Sequence, residues 1–567
     1  MARLIQLACH LHKLMYLQRL ALLSLVTILA ACGSGNDSSS PDGSANGTPG
    51  PAAPPAPPLS PPPYTFAPET LVASSVIGYP IKVELKPKPT SSERAVNFKG
   101  VWDANFPGPN IPINIQMRMD GSLIVEAKTS ATANAGVYTG NIEVTACADY
   151  NCDKQVTGSP FKLPYRIELF GKEGERVTYN LSALSPLSGA ADWGTDQGNA
   201  SRTGYVPVTL TPASFNARWR VTMPATVEGQ LDNLNSSSTG GGLVYVSTFQ
   251  RYVGKGNRID ALSEHDGATV WTRSFDYLKS PSSSAPTYDE GKVYLTAGAD
   301  DAHLYALDAV SGTQLWSVPV PSELEREYAP TVYQGNIYTN GGVASGLAPP
   351  STLYSFTANG AQRYSYTFPP HSGDFGWSSA VNDSGVYVFQ LGTLFILDPV
   401  TGAERAVASG KPIMVGRYGI RTPVIGDNDI VFGVLVTNGG HYLQAFDVGA
   451  TPGLRWAVLG EFPNSPAYGD GLLYITNTST AKLEVYRATD GVLQWSWAPP
   501  AKDEALYSSV LLTKNLVFVS SASKTYAINR STEKAVWTYD AGGELSISAN
   551  GILYIRERSR ITAINLR

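Results

Sequence analysis

The sequence predicts an all-β protein: an eight-bladed β-propeller preceded by a small immunoglobulin-like β-sandwich. Three observations carry this. A unit of about 45 residues recurs eight times in residues 190–567, each copy a small meander of alternating apolar runs. About seven short alternating runs fill residues 64–170 ahead of it. Gly 54, Pro 40 and Tyr 30 in 567 residues suit many short strands joined by tight turns.

Taken in order, the chain opens on a targeting segment. Arg3, Lys13 and Arg19 form a basic start, and Leu20 to Leu29 is an apolar core too short for a comfortable membrane span. Leu29-Ala30-Ala31-Cys32-Gly33 resembles the bacterial lipobox. That resemblance implies a signal peptide over residues 1–31, cleavage before Cys32, and a lipid anchor on Cys32. Several acyl chains on one residue hold a protein to a membrane stably, at about 0.8 kcal/mol per buried methylene. Residues 32–63 are rich in Pro, Ser and Gly and cannot build a core, so they read as a tether.

Residues 64–170 supply the expected sandwich. Ile81 to Leu85, Ile113 to Met117 and Tyr165 to Leu169 alternate, and Gly136 to Val144 forms a longer run. Tyr138 resembles a tyrosine-corner residue. Once Cys9 leaves with the signal and Cys32 is lipidated, only Cys147 and Cys152 remain. An oxidising compartment would pair them as a disulfide that staples one hairpin. The competing metal site lacks further ligands nearby, so no metal is expected.

The propeller is assigned to residues 190–567. The unit is clearest in KVYLTAGADDAHLYALDAVSGTQLW, Lys292 to Trp316. Its first-strand aromatic recurs at Tyr245, Tyr294, Tyr338, Tyr387, Phe432, Tyr474, Phe518 and Tyr554. Its third strand carries Trp271, Trp316, Trp456, Trp495 and Trp537, with Tyr364 and Arg405 in two other copies. These aromatics read as packing between blades. Asp308 can accept backbone hydrogen bonds in its turn, and Gly312 can take positive φ there. The last copy stops before its third strand, while a spare one stands at Ala217 to Val221. The expected closure therefore places Trp219 in the last blade, which hides most of the sheet edge.

These units resemble the pyrroloquinoline-quinone-type propeller repeat. Leu304-Tyr305-Ala306-Leu307-Asp308, Ser311-Gly312 and Trp316 match best, and Trp193 with Gly198-Asn199-Ala200 and Thr203-Gly204 resembles the lead-in before such repeats. Two branches follow from the resemblance. Quinoprotein alcohol dehydrogenases are enzymes that bind the quinone with calcium. The BamB-type lipoprotein of outer-membrane barrel assembly is a scaffold without cofactor. Residues 190–567 contain no cysteine, so the adjacent cysteine pair of the enzymes is missing. The expectation is a membrane-anchored, periplasm- or surface-facing binding scaffold with no catalytic residue and no cofactor. A quinone-dependent oxidoreductase and a glycan-binding surface module stand as alternatives.

Charge and chemistry agree with a binding role. Lys+Arg 42 against Asp+Glu 47 gives −5, which argues against a nucleic-acid partner. His265, His303, His371 and His441 lie in different units without metal-ligand spacing, and His265 reads as solvated. The loops expected on one face carry Arg251, Tyr252, His371, Trp377, Arg417, Tyr418, Arg556 and Arg558, with Arg560 beside the last two. Arginine and aromatic side chains are enriched at interaction hot spots, so this rim is the predicted partner site. The expected partners are envelope proteins. Gly33 directly after Cys32 leans toward the outer membrane, and the sequence sets no oligomeric state.

Overall fold

The computed structural model describes residues 61–567 apart from short stretches at 68, 110–111, 119–120, 226–232, 250–256, 276–282, 299–301, 321–328, 343–350, 370–377, 391, 412–418, 421, 438–439 and 501–504. The targeting segment, Cys32 and nearly all of the tether lie outside the described residues. Every described element is a strand except one 3-10 turn at Pro212–Ser214.

The repeat builds one sheet per copy. In the second copy the order is Thr287–Asp289, Lys292–Ala297, His303–Asp308, Gln314–Pro319, all antiparallel. The hairpin between the first two turns on Glu290 and Gly291, both at positive φ, 43° and 78°. That pair matches the twist of the flanking strands. Asp308 accepts the Ser311 N–H at 2.8 Å, and Gly312 stands at φ 70°. The short inner strand was not expected. It holds only two or three residues in most copies, too few to alternate visibly.

Eight such antiparallel sheets follow one another among the described residues. Their inner strands touch in succession from the first to the seventh, Leu516–Ser520 of the seventh meets Glu544–Ile547 of the last, and Ser238–Gly240 of the first also meets Glu544–Ile547. The sheets therefore close into a ring, as the blades of a PQQ-like β-propeller do. In the last sheet Asn216–Thr222 pairs with Arg560–Asn565, with Trp219 fully buried. Arg176–Thr178 adds a further strand outside it.

Neighbouring sheets are joined by a repeated device. The Nε1–H of Trp271 donates to the Ala309 carbonyl at 3.0 Å, Trp316 to Ala358 at 2.9 Å, and Trp456 to Ala488 at 2.9 Å. A Cβ on Gly312 would lie 2.6 Å from the Trp271 ring, so the turn must carry glycine for the indole to lie flat on it.

Residues 64–170 form a separate β region whose eight strands pair in one continuous path. Trp102, Phe106 and Tyr165 centre its core, with Trp102 and Phe106 stacked at 4.1 Å. The Tyr138 hydroxyl donates to the Asn134 carbonyl at 2.8 Å. Cys147 and Cys152 are joined as a disulfide in the connection between Gly136–Cys147 and Phe161–Phe170. This region and the ring belong to one compact unit, Ser60–Arg567.

Candidate functional site

The lead-in segment runs among the inner strands and satisfies their free edges. The carbonyls of Trp193, Gly194, Ala200, Ser201, Thr203 and Gly204 accept from Thr239, Tyr288, Val381, Ile425, Tyr468 and Leu512, each in a different sheet. Arg202 reaches the third sheet: its Nη2 donates to Thr331 Oγ1 at 2.6 Å, and its Nη1 to Thr195 Oγ1 at 3.0 Å and the Asp196 carbonyl at 2.8 Å. Arg202 is fully buried, and desolvation pushes its pKa down to about 10, against the nearby charge of Asp196. The lead-in is thus a plug that ties seven sheets together.

The loop side of the last sheets carries the N-terminal β region. Arg560, 1% exposed, pairs with buried Glu557 through Nε and, at 2.5 Å, Nη2. Its guanidinium lies 3.7 Å from the Phe170 ring centroid and its Nη1 is 3.8 Å from Glu168 Oε1. Burial raises the Glu557 carboxyl, and the charge of Arg560 opposes that shift. Arg176 pairs with Asp266 of the first sheet at 2.8 Å. The contacts of Arg560 with Phe170 and Glu168 thereby fix the N-terminal region over the loops of the sixth to eighth sheets.

Among the described residues, three clefts open between the two walls. One of about 720 Å³ lies between Phe66, Glu69 and Glu84 on one side and Glu461, Thr478 and Tyr507 on the other. The next, about 260 Å³, is lined by Ser74, Tyr507, Glu544, Arg556 and Arg558. A third, about 310 Å³, lies between Lys82 and Arg166 of the N-terminal region and Arg558. Burial pushes the Glu544 carboxyl up, against the nearby charge of Arg556.

Of the predicted rim, Arg556 and Arg558 come together in the second cleft. Arg556 donates to the Leu234 carbonyl at 2.6 Å, and Arg558, exposed, donates through Nε to Asn233 Oδ1 at 3.0 Å. Arg251, Tyr252, His371, Trp377, Arg417 and Tyr418 lie outside the described residues. Arg560 is a correction: its side chain is a buried ion-pair partner, because the strand that begins with it turns inward under Phe170. His265 is exposed, yet its Nδ1 lies 3.2 Å from Arg218 Nη2, so it is bonded as well as solvated. His441 donates through Nδ1 to the Phe462 carbonyl at 2.6 Å. Among the described residues no cluster of His, Cys, Asp and Glu is placed to hold a metal ion.

Sequence reasoning missed Glu461, Tyr507 and Glu544 as cleft residues. No pattern marks them, since they become neighbours of residues 66–84 only when the N-terminal region docks.

A family model described as outer membrane protein assembly factor BamB matches residues 177–368 and 255–496, together more than half of the chain. The crystal structure of BamB from Moraxella catarrhalis is 15% identical, over 64% of this chain and 98% of that one, with a TM-score of 0.42. A europium-containing methanol dehydrogenase is 15% identical over 64% and 89%, with a TM-score of 0.48. The quinohemoprotein alcohol dehydrogenase from Comamonas testosteroni is 13% identical over 66% and 80%, with a TM-score of 0.49. No curated protein matches.

Proposed function

The chain belongs to the propeller-repeat family described as outer membrane protein assembly factor BamB, and from that premise we propose that it works by binding, as a lipid-anchored scaffold of the bacterial envelope. The anchor is Cys32, the tether is residues 32–63, and the partners are envelope proteins met at the outer membrane. The N-terminal β region is read as an immunoglobulin-like sandwich, a reading supported by the Tyr138–Asn134 bond. Eight blades make up the ring.

The observation that carries this reading is the fixed, two-walled cleft system on the loop side. Buried Arg560 locks one wall to the other, so the clefts are pre-formed rather than assembled on contact. Pre-organisation lowers the entropic cost of binding. The rim residues Trp377 and Arg417 belong to loops expected on the same face.

Crosslinking of the full lipoprotein to solubilised envelopes tests the proposal. A discrete partner set should appear, and Trp377→Ala with Arg417→Ala should weaken its capture at an unchanged melting temperature. Capture of the same proteins at the same yield by wild type and variants would sink the loop-face assignment.

A further inference from the structure

Among the described residues, the N-terminal β region has two sheet edges with no further strand on them, and both open onto the ring. Its strand path begins with Tyr64–Ala67 and ends with Leu71–Val76. Phe66 and Ala67 line the 720 Å³ cleft, Ser74 lines the 260 Å³ cleft, and Tyr507 is a wall of both. An open edge presents unpaired N–H and C=O groups, a template for another strand unless it is blunted.

The register shows which groups are free at the first edge. Tyr64 stands opposite Pro89 and Phe66 opposite Pro87. Proline has no N–H, so neither pair can exchange both backbone bonds. Bonded and non-bonded pairs alternate along an antiparallel ladder. The bonded pairs are then Thr65 with Lys88 and Ala67 with Lys86. The Thr90 N–H to Pro63 carbonyl bond, 2.9 Å, sets the same phase. The N–H and C=O of Phe66 therefore point away from the sheet, at the edge that lines the cleft.

The same cleft is acidic. Among the described residues, Glu69, Glu84 and Glu461 border it, against Lys86 alone. Glu84 and Glu461 have partners in Arg118 and His441, but their side chains remain 44% and 45% exposed.

We propose that this cleft receives an extended segment of a partner protein, which adds as a strand to Tyr64–Ala67 and carries lysine or arginine on the side chains facing Glu69 and Glu461. Main-chain bonds at Phe66 supply affinity, and alternate side chains supply specificity. The proposal rests on the binding reading above and gives the form of the partner.

Fluorescence anisotropy with the full chain tests it, using three labelled octapeptides: alternating Lys-Val, the same with every second backbone nitrogen methylated, and alternating Glu-Val. The Lys-Val peptide should bind saturably. Methylation should weaken it about tenfold or more, and so should the Glu69→Lys, Glu461→Lys double variant, which should take up the Glu-Val peptide instead. The proposal is overturned if the Lys-Val peptide does not bind, or if its affinity is unchanged by methylation or by charge reversal. It also falls if the double variant abolishes self-association in sedimentation, since a second copy would then be the occupant. None of these failures touches the scaffold reading, which depends on envelope crosslinking through the loop face.

Discussion

The indole Nε1–H of Trp219 donates to the Glu264 carbonyl at 2.9 Å, and this bond joins the last sheet of the ring to the first. It repeats at the closure the contact that Trp271, Trp316 and Trp456 make between consecutive sheets. A strand supplied from the start of the repeat region therefore forms the same junction as strands inside it.

Trp219→Ala should cost at least as much as Trp316→Ala. Trp219 is fully buried whereas Trp316 is only half-buried, and large-to-small aromatic substitutions in cores cost roughly 3–5 kcal/mol. Urea unfolding of the two variants checks this. A neutral Trp219→Ala beside a damaging Trp316→Ala would mean that the ring is held shut elsewhere.

Arg202→Met should destabilise the ring although it touches no loop. The change leaves the carbonyl of Asp196 and the hydroxyls of Thr195 and Thr331 short of a buried donor. Each such orphan costs roughly 1–3 kcal/mol. Arg202→Lys should recover only part of the loss, because an ammonium cannot span the planar fork. Equal stability of the Met and Lys variants would contradict the hub role.

Glu264 gives a pH dependence with a definite sign. Its carboxyl is 1% exposed and accepts from Asn550 at 2.6 Å and Tyr554 at 3.1 Å. Burial raises its pKa, and those hydrogen bonds only partly oppose the shift. An acid whose folded pKa exceeds its unfolded value stabilises the fold when protonated. The contribution is complete below about pH 4.3, the unfolded value, and is lost as pH rises through the folded one. Glu264→Gln, neutral throughout, should lose less stability than wild type as pH rises above about 4.3. Parallel pH profiles in denaturant melts would rule this out.

The repeating part of the fold was legible because its signals recur. One Trp or one Asp-x-x-Ser-Gly turn means little, but eight aligned copies mark three strands per unit, the turns between them and the closure at Trp219. The inner strands were not legible, since Leu511–Leu512 or Thr287–Asp289 is too short to show a period. The role of Arg202 was hidden for another reason. A lone Arg among Gly, Asn and Thr reads as a loop residue until six inner strands are seen to close around its neighbours. The cleft was least legible of all. Phe66 and Tyr507 are 441 positions apart by numbering, and nothing local to either announces the docking that brings them to one cavity.

Under the proposed envelope location the disulfide is expected to be intact. Cys147 and Cys152 are five positions apart, so the loop they close is short and the stabilisation modest. Non-reducing mass spectrometry should find them oxidised, and Cys147→Ser with Cys152→Ser should lower the melting of the N-terminal region only slightly. Two free thiols in protein taken from the envelope would contradict an oxidising location.

The last prediction concerns Arg560, whose removal should uncouple the N-terminal region from the ring. Glu557 is 8% exposed, and its carboxylate is compensated chiefly by Arg560. Arg560→Met would leave that charge buried and unpaired, which costs roughly 3–5 kcal/mol, whereas replacing both partners by neutral groups of similar volume is often nearly neutral. The Arg560→Met, Glu557→Gln double variant should therefore be more stable than Arg560→Met alone. The Phe170 contact is lost in both, because methionine cannot supply the cation over the ring. Calorimetry should then resolve two transitions in Arg560→Met, one for residues 64–170 and one for the ring, where wild type gives one. If the single variant melts as one unit at the wild-type temperature, the lock lies in the Arg176–Asp266 pair and the strand Arg176–Thr178 instead.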